Sequence, residues 1–179
     1  MILLRHGQSH FNLHYSATRV DPGIIDPDLT DEGKRQAEGA AAELSGLDHL
    51  RRIIASPYRR TLHTAEIVAG RLGLPVTIEP LVRERAYFTC DIGSHRSELT
   101  ERWPHFHFGD LPERWWPEPE ETETELRGRC RRFRGAMAEA DDWPSVLVVS
   151  HWGFIRGLTG MEVENCAMLA FDPTAEVAT

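Results

Sequence analysis

One stretch of the sequence constrains the fold more than any other: an apolar run that ends in a histidine. Residues 145–150 read Ser-Val-Leu-Val-Val-Ser, and His151 follows directly. A continuous apolar run of this length is typical of a strand buried on both faces, in the centre of a parallel sheet. Parallel strands need long crossover connections, which are usually helices. We therefore expect an α/β fold with helices on the faces of a sheet.

Strand and helix patterns alternate along most of the chain, which favours the same fold class. Short apolar runs predict the strands, whereas helical spacing, Ala-rich and Leu-rich composition and cap residues predict the helices. Strands are predicted at residues 1–4, 52–55, 75–78, 145–150 and 167–171, and helices at residues 31 to about 47, 59–72, 122 to beyond 134, and 153–159.

The helix predicted to begin near Thr122 carries its charges in two blocks. Residues 118–125 are rich in acidic side chains and residues 127–134 are rich in arginine, which complements the helix dipole. Thr122 and Glu125 have the spacing of a capping box. Glu125 and Arg129 lie four residues apart and are predicted to pair. Helix stability therefore accounts for both charge blocks without a binding partner.

The alternation breaks between about residues 81 and 119. This segment mixes seven aromatic side chains with glycine, proline, histidine and charged residues. A long irregular segment inside a compact domain usually serves as a lid or a binding loop. We therefore predict a single domain over residues 1–179 with a lid or specificity insertion at about 81–119. Exposed tryptophan or phenylalanine side chains in the insertion would offer a contact for a homodimer.

Composition narrows the classes of partner. The formal net charge of −8 argues against binding to a nucleic-acid backbone. No apolar run approaches the length of a membrane-spanning helix, and the N-terminus lacks the pattern of a signal peptide. Three widely spaced cysteines predict neither disulfides nor a zinc site, and His105 and His107 lack further ligands at sensible spacing. A cytoplasmic protein without a bound metal or membrane contact is expected.

Three of the predicted strands end in clusters of polar side chains. These clusters are Arg5-His6-Gly7, the Ser-Pro-Tyr-Arg-Arg run at residues 56–60, and the Ser-His-Trp-Gly run at residues 150–153. Ligands bind at the carboxyl ends of the strands in open α/β sheets. The convergence of three such clusters therefore predicts one site at this edge of the sheet.

These clusters and two further segments resemble the histidine phosphatase superfamily, also called the phosphoglycerate mutase-like family. The resemblance implies a three-layer α/β/α sandwich with a mostly parallel central sheet, a covalent phosphohistidine intermediate and no cofactor. The matching segments are LRHGQSHFN at residues 4–12, DPDLTDEGKRQA at 26–37, SPYRRTLHTA at 56–65, LVRER at 81–85 and VVSHWGFIR at 148–156.

The resemblance also implies the roles of five catalytic residues. His6 matches the nucleophile, since a neutral imidazole nitrogen can attack phosphorus and form a covalent intermediate. Arg5 and Arg60 match the two arginines that grip the phosphoryl oxygens. His151 matches the second histidine, which donates to the phosphoryl group, and Glu84 matches the acid that protonates the leaving alcohol.

Further positions are expected to bind the substrate. Asn12 matches the family pattern and would donate its amide to phosphate, or else serve as a loop or cap residue. Gly7 would let the backbone approach the phosphate closely, Ser9 is a further candidate contact, and Trp152 would contribute its backbone N–H. The family's usual Gly-x-x-Glu-Gly segment is missing, and Cys-Asp-Ile-Gly-Ser stands in its place at residues 90–94.

The expected function is that of a metal-independent phosphatase acting on phosphate monoesters. The substrate would be a small-molecule phosphate ester, with a phosphoprotein as a further candidate. A phosphoglycerate mutase uses the same residues, but members with that activity are usually longer, and 179 residues favour hydrolysis. A phosphate-binding protein without catalysis is the third candidate, although such proteins normally lose the nucleophile or an arginine.

Overall fold

The fold is organised around one five-stranded sheet. In the computed structural model, which describes residues 1–117 and 120–175, the strands follow the order β3-β2-β4-β1-β5. The central strand is buried along its whole length, which confirms the prediction made from its apolar run. The last strand joins the edge antiparallel to the first, while the other pairs are parallel. The strands are β1 (Ile2–Arg5), β2 (Arg52–Ala55), β3 (Val76–Ile78), β4 (Val146–Ser150) and β5 (Met168–Ala170).

The described residues form six α-helices. The helix that follows β1 was not predicted, because its nine residues have no clear apolar face. The second helix begins after the predicted cap Thr30, whose Oγ1 accepts the N–H of Gly33 at 3.0 Å, and it ends three residues earlier than expected. The helices are α1 (His10–Thr18), α2 (Asp31–Leu44), α3 (Arg59–Leu72), α4 (Arg96–Arg102), α5 (Glu123–Glu139) and α6 (Trp152–Thr159).

Two apolar cores lie on opposite faces of the sheet. Successive residues of β4 point to opposite faces, so Val148 contributes to one core and Val149 to the other. The first core includes Phe133 of α5 and Phe154 of α6. The second core lies between the sheet and helices α2 and α3, and it includes Leu44 of α2. Helices on both faces give the three-layer α/β/α arrangement that was expected.

The segment predicted to be irregular contains α4 and two short 3₁₀ helices, at Pro80–Val82 and Thr89–Asp91. Most of its aromatic side chains are buried. They form a third apolar core with Tyr58 and Leu62, at the start of α3, so they fasten the insertion to the domain. Residues 118 and 119 lie outside the described residues. The first of them begins the acidic block before α5, and the second is the predicted end of the insertion.

The prediction that Glu125 and Arg129 form an ion pair is wrong. Glu125 instead completes the capping box with Thr122, as predicted, by accepting the Thr122 N–H at 2.8 Å. Arg129 is only 1% exposed and pairs with Glu121 at 2.6 Å. The spacing rule describes solvated helix faces, whereas Arg129 lies on the face of α5 that packs against the sheet. Within the described residues, no helix is both long enough and apolar enough to cross a membrane.

Candidate active site

The carboxyl ends of β1, β2 and β4 lie side by side, and the loops that leave them are joined by backbone hydrogen bonds. The His6 N–H donates to the Ser150 carbonyl at 2.9 Å, and the Ser56 N–H donates to the Val149 carbonyl at 3.2 Å. Strand pairing therefore brings His6, Ser56 and His151 to one edge of the sheet. The structure thus brings the three predicted polar clusters together.

The His6 ring is held in one orientation at the end of β1. The residue is 3% exposed, and its Nδ1 lies 2.7 Å from the Gly7 carbonyl oxygen. A carbonyl can only accept, so Nδ1 carries the proton and Nε2 keeps its lone pair. Burial lowers the pKa of His6 well below its usual value, and the positive charges of Arg60 and Arg5 lower it further. The imidazole is therefore neutral at neutral pH.

His151 faces His6 from the loop between β4 and α6. The two ring centroids are 5.1 Å apart, and His151 is fully buried. Its Nε2 lies 2.8 Å from the Ser56 hydroxyl, while its buried Nδ1 has no hydrogen-bond partner among the described residues. Burial and the nearby Arg60 lower the pKa of His151 well below its usual value. If Ser56 donates to Nε2, the proton on Nδ1 is available to a bound anion.

Arg5 and Arg60 bring positive charge to the two histidines from different elements. Arg5 Nη1 donates to the Val163 carbonyl at 2.7 Å, and its buried Nε has no protein acceptor among the described residues. Arg60, in the first turn of α3, is 3% exposed and pairs with Asp91 at 3.1 Å. Its neighbour Arg59 is more exposed and lies 4.0 Å from Asp28.

Glu84 approaches the same site from the insertion. Its Oε2 accepts the Gly153 N–H at 3.2 Å and its Oε1 accepts the Arg85 N–H at 2.8 Å. A Cβ at position 153 would lie 2.3 Å from Glu84 Oε1, so glycine is required there for the carboxyl group to reach α6. Burial raises the pKa of Glu84, and the negative charge of Asp91 raises it further.

The backbone around Glu84 is held by Arg129, a residue that the sequence analysis predicted to pair with Glu125. Arg129 Nη1 donates to the carbonyls of Leu81 and Arg83, both at 2.7 Å. Its Nε and Nη2 donate to Glu121 at 2.9 and 2.6 Å. The fork of this guanidinium therefore fixes the segment that carries Glu84.

Asn12 has its amide oxygen occupied within the protein. Asn12 Oδ1 lies 3.1 Å from the Ser9 N–H, 3.0 Å from the Ser9 hydroxyl and 3.3 Å from Asn165 Nδ2. Three donors on the oxygen leave the NH₂ group of Asn12 for another acceptor. Ser9 is the N-cap of α1, a role that its sequence pattern did not reveal. Asn165, which also donates to the His6 carbonyl at 2.9 Å, was missed because nothing in its local sequence links it to the site.

Gly7 and Trp152 lie beside the two histidines. A Cβ on Gly7 would lie 2.3 Å from the Gly33 carbonyl oxygen, so glycine at this position permits close packing against α2. Trp152 is 37% exposed and is the first residue of α6. Its backbone N–H therefore has no acceptor within the helix.

Three arginines of the insertion are paired with protein carboxylates. Arg83 pairs with Glu121 at 3.0 Å, Arg85 with Glu123 at 3.0 Å, and Arg96 lies 3.7 Å from Glu113. These pairs offset the positive charge that could otherwise attract a second acidic group on a substrate. Within residues 1–117 and 120–175, no three histidine, cysteine, aspartate or glutamate side chains are grouped so that they could hold a metal ion.

Fold and site define a class of α/β protein with two facing histidines and two arginines at the carboxyl edge of its sheet. The chain belongs to the histidine phosphatase superfamily, branch 1, whose family model matches residues 1–176. It is 30% identical over 188 residues to a glucosyl-3-phosphoglycerate phosphatase from Mycolicibacterium vanbaalenii, covering 94% of this chain and 78% of that protein. It is 32% identical over 179 residues to phosphoserine phosphatase 1 from Hydrogenobacter thermophilus, covering 96% and 77%.

A solved structure shares the fold at low sequence identity. The ecdysone phosphate phosphatase from Bombyx mori, in complex with tungstate, superposes with a TM-score of 0.69 at 16% identity. The match covers 99% of this chain and 94% of that one. The agreement in fold confirms the expected architecture.

Proposed function

We propose that this protein hydrolyses phosphate monoesters through a phosphohistidine formed on His6. The observation that carries the proposal is the state of the His6 ring. Nδ1 donates to the Gly7 carbonyl, and burial lowers the pKa of the His6 imidazole. Nε2 is therefore an unprotonated nucleophile held among Arg5, Arg60 and His151. The names of its phosphatase relatives support the same activity.

The first step is in-line attack by His6 Nε2 on phosphorus. The ester P–O bond breaks, and its electron pair leaves with the alcohol oxygen, which takes the proton of the Glu84 carboxyl group. The raised pKa of Glu84 favours the protonated form that this step requires. Arg5, Arg60 and the Nδ1–H of His151 stabilise the charge on the transferring phosphoryl oxygens.

The second step releases inorganic phosphate. The Glu84 carboxylate accepts a proton from water, whose oxygen forms a bond to phosphorus as the P–N bond breaks. The electron pair of that bond returns to His6 Nε2, and the enzyme is restored. The Asn12 amide and the Trp152 N–H are further donors to the phosphate in this proposal, and Ser9 and Gly7 shape the loop that places them.

The substrate in this proposal is a small-molecule phosphate ester, and the insertion acts as its lid. Metal independence is part of the proposal, because two arginines and a histidine donor supply the positive charge that a metal would otherwise provide. The three cysteines are free thiols, which supports a cytoplasmic, reducing location.

Release of inorganic phosphate from p-nitrophenyl phosphate tests the proposal. We expect wild type and His14→Ala, a change at an exposed residue of α1, to turn over at equal rates, with and without EDTA and without a bisphosphoglycerate primer. His6→Ala should lose activity by on the order of a thousandfold or more. Equal rates for His6→Ala and wild type would refute the nucleophile. Activity that requires a bisphosphorylated primer would favour mutase chemistry.

A further inference from the structure

The Cys-Asp-Ile-Gly-Ser segment at residues 90–94 contacts the phosphate-binding arginine directly. Asp91 Oδ1 accepts from Arg60 Nη2 at 3.1 Å, and both side chains are 3% exposed. Asp91 Oδ2 accepts the backbone N–H groups of Tyr87 and Phe88 at 3.1 and 3.0 Å. One carboxylate therefore joins the guanidinium of α3 to the stretch of chain that follows Glu84.

The same segment holds Arg60 at a second point. Arg60 Nη1 donates to the Cys90 carbonyl at 2.9 Å, so both terminal nitrogens are bound to neighbouring residues. The guanidinium carbon lies 4.4 Å from the centre of the Tyr58 ring, and the Tyr58 hydroxyl donates to the Asp91 carbonyl at 2.5 Å. These contacts fix the plane and the direction of the guanidinium. These contacts use two of the five N–H groups of the guanidinium and leave three for an anion.

We propose that Asp91 is a positioning residue: it orients Arg60 toward the phosphoryl oxygens and couples that orientation to the proton donor Glu84. This inference rests on the proposed function. It assigns a role to a segment that departs from the usual family motif. A buried carboxylate beside an anion-binding site is otherwise unfavourable, because its charge opposes that of the phosphate.

The charge of Asp91 also acts on Glu84. The charged or titratable groups around Glu84 are Asp91 and Cys90 from the 3₁₀ turn, Arg60 from α3, Arg5 from β1, and Arg129 from α5, which donates to the Glu84 carbonyl. Burial raises the pKa of Asp91 itself, and the Arg60 guanidinium and the N–H groups of Phe88 and Tyr87 oppose that shift. Removing this negative charge will lower the pKa of Glu84. Glu84 must be protonated to donate, so the alkaline limb of the kcat profile will move to lower pH.

Asp91→Asn and Asp91→Glu separate the charge of Asp91 from its geometry. We expect Asp91→Asn to weaken binding of orthovanadate by about tenfold to a hundredfold, the range of a charge-assisted hydrogen bond, and to shift the alkaline limb to lower pH. Asp91→Glu keeps the charge and alters the geometry, so it should weaken vanadate binding and leave the limb in place. Asp110→Asn, an exposed change in the same insertion, should match wild type in both measurements.

A buried control distinguishes positioning from general loosening. Asp26 is 1% exposed and accepts the N–H groups of Arg59 and Ser94, so Asp26→Asn should lower the melting temperature without moving the limb. A folded Asp91→Asn with wild-type vanadate affinity and an unmoved limb would overturn the inference, as would an equal limb shift in Asp26→Asn. If Asp91→Asn does not fold, Asp91→Glu decides, and unchanged vanadate affinity overturns it. Wild-type protein without any phosphatase activity would instead refute the proposed function.

Discussion

Replacing Arg129 should destabilise the protein severely, because this buried side chain donates to both carboxylate oxygens of the buried Glu121. Arg129→Ala removes donors to both Glu121 oxygens and to the carbonyls of residues 81, 83 and 84. Glu121, which is 5% exposed, would keep only Arg83 as a charged partner. Breaking a buried ion pair in this way costs about 3–5 kcal/mol of the free energy of unfolding.

Thermal and urea denaturation measure this loss. For a domain of this size each kcal/mol lowers Tm by roughly 2–4 °C, so a fall of about 6–20 °C is expected. The kcat of the folded fraction should also fall, because the segment that carries Glu84 loses its anchor. Arg127→Ala, an exposed change in the same helix, should stay within about 0.5 kcal/mol of wild type.

A double variant tests the physical reason. Arg129→Met with Glu121→Gln removes the unpaired charge, so it should recover much of the stability that Arg129→Ala loses. A loss below about 1 kcal/mol for Arg129→Ala would refute the argument that the pair is buried and anchors the segment. Equal instability of the double variant would show that the carbonyl contacts, and not the charge of Glu121, dominate.

Three further predictions concern the site itself. Gly153→Ala should lower kcat in steady-state kinetics by on the order of tenfold while the protein stays folded, since a Cβ there would displace Glu84. Gly135→Ala is the matched control, because the position has open space around it. Ser56→Ala should lower kcat by about tenfold by freeing His151 Nε2, and Ser45→Ala on the surface should not. Because folding lowers the pKa of His6 and His151, the unfolded chain takes up more protons at these residues below about pH 6.5, and their contribution to stability falls as pH drops through that value. In urea denaturation, His6→Ala should therefore lose less stability than wild type between pH 7.5 and 5.5; an equal change in both would contradict the buried neutral histidine.

Much of the architecture follows from local pattern. Sequence alone could predict the buried run in β4, the strands that flank it and the cap at Thr30, because each of these features depends only on residues that are neighbours in the chain. Helix α1 was not predicted, because its capping box uses Ser9 and Asn12, and both residues had been interpreted as phosphate contacts. Its apolar face is almost absent, so periodicity gave no signal.

The partners of the catalytic residues escaped prediction for a different reason. His6, Arg60 and Glu84 could be proposed because they lie in short motifs, but Asp91 and Asn165 act across 31 and 159 residues of chain. Such contacts depend on how the insertion and the last loop pack against the sheet. A single sequence carries no pattern that reports them.

Trapping the covalent intermediate tests the central claim most directly. Wild-type protein mixed with a ³²P-labelled phosphate monoester and quenched in alkali within milliseconds should carry label on His6, and that label should be stable in base and lost in acid, as a P–N bond is. His6→Ala should carry none, while His14→Ala should match wild type. Label on another residue, or rapid hydrolysis with no protein-bound phosphate at any time point, would contradict the account.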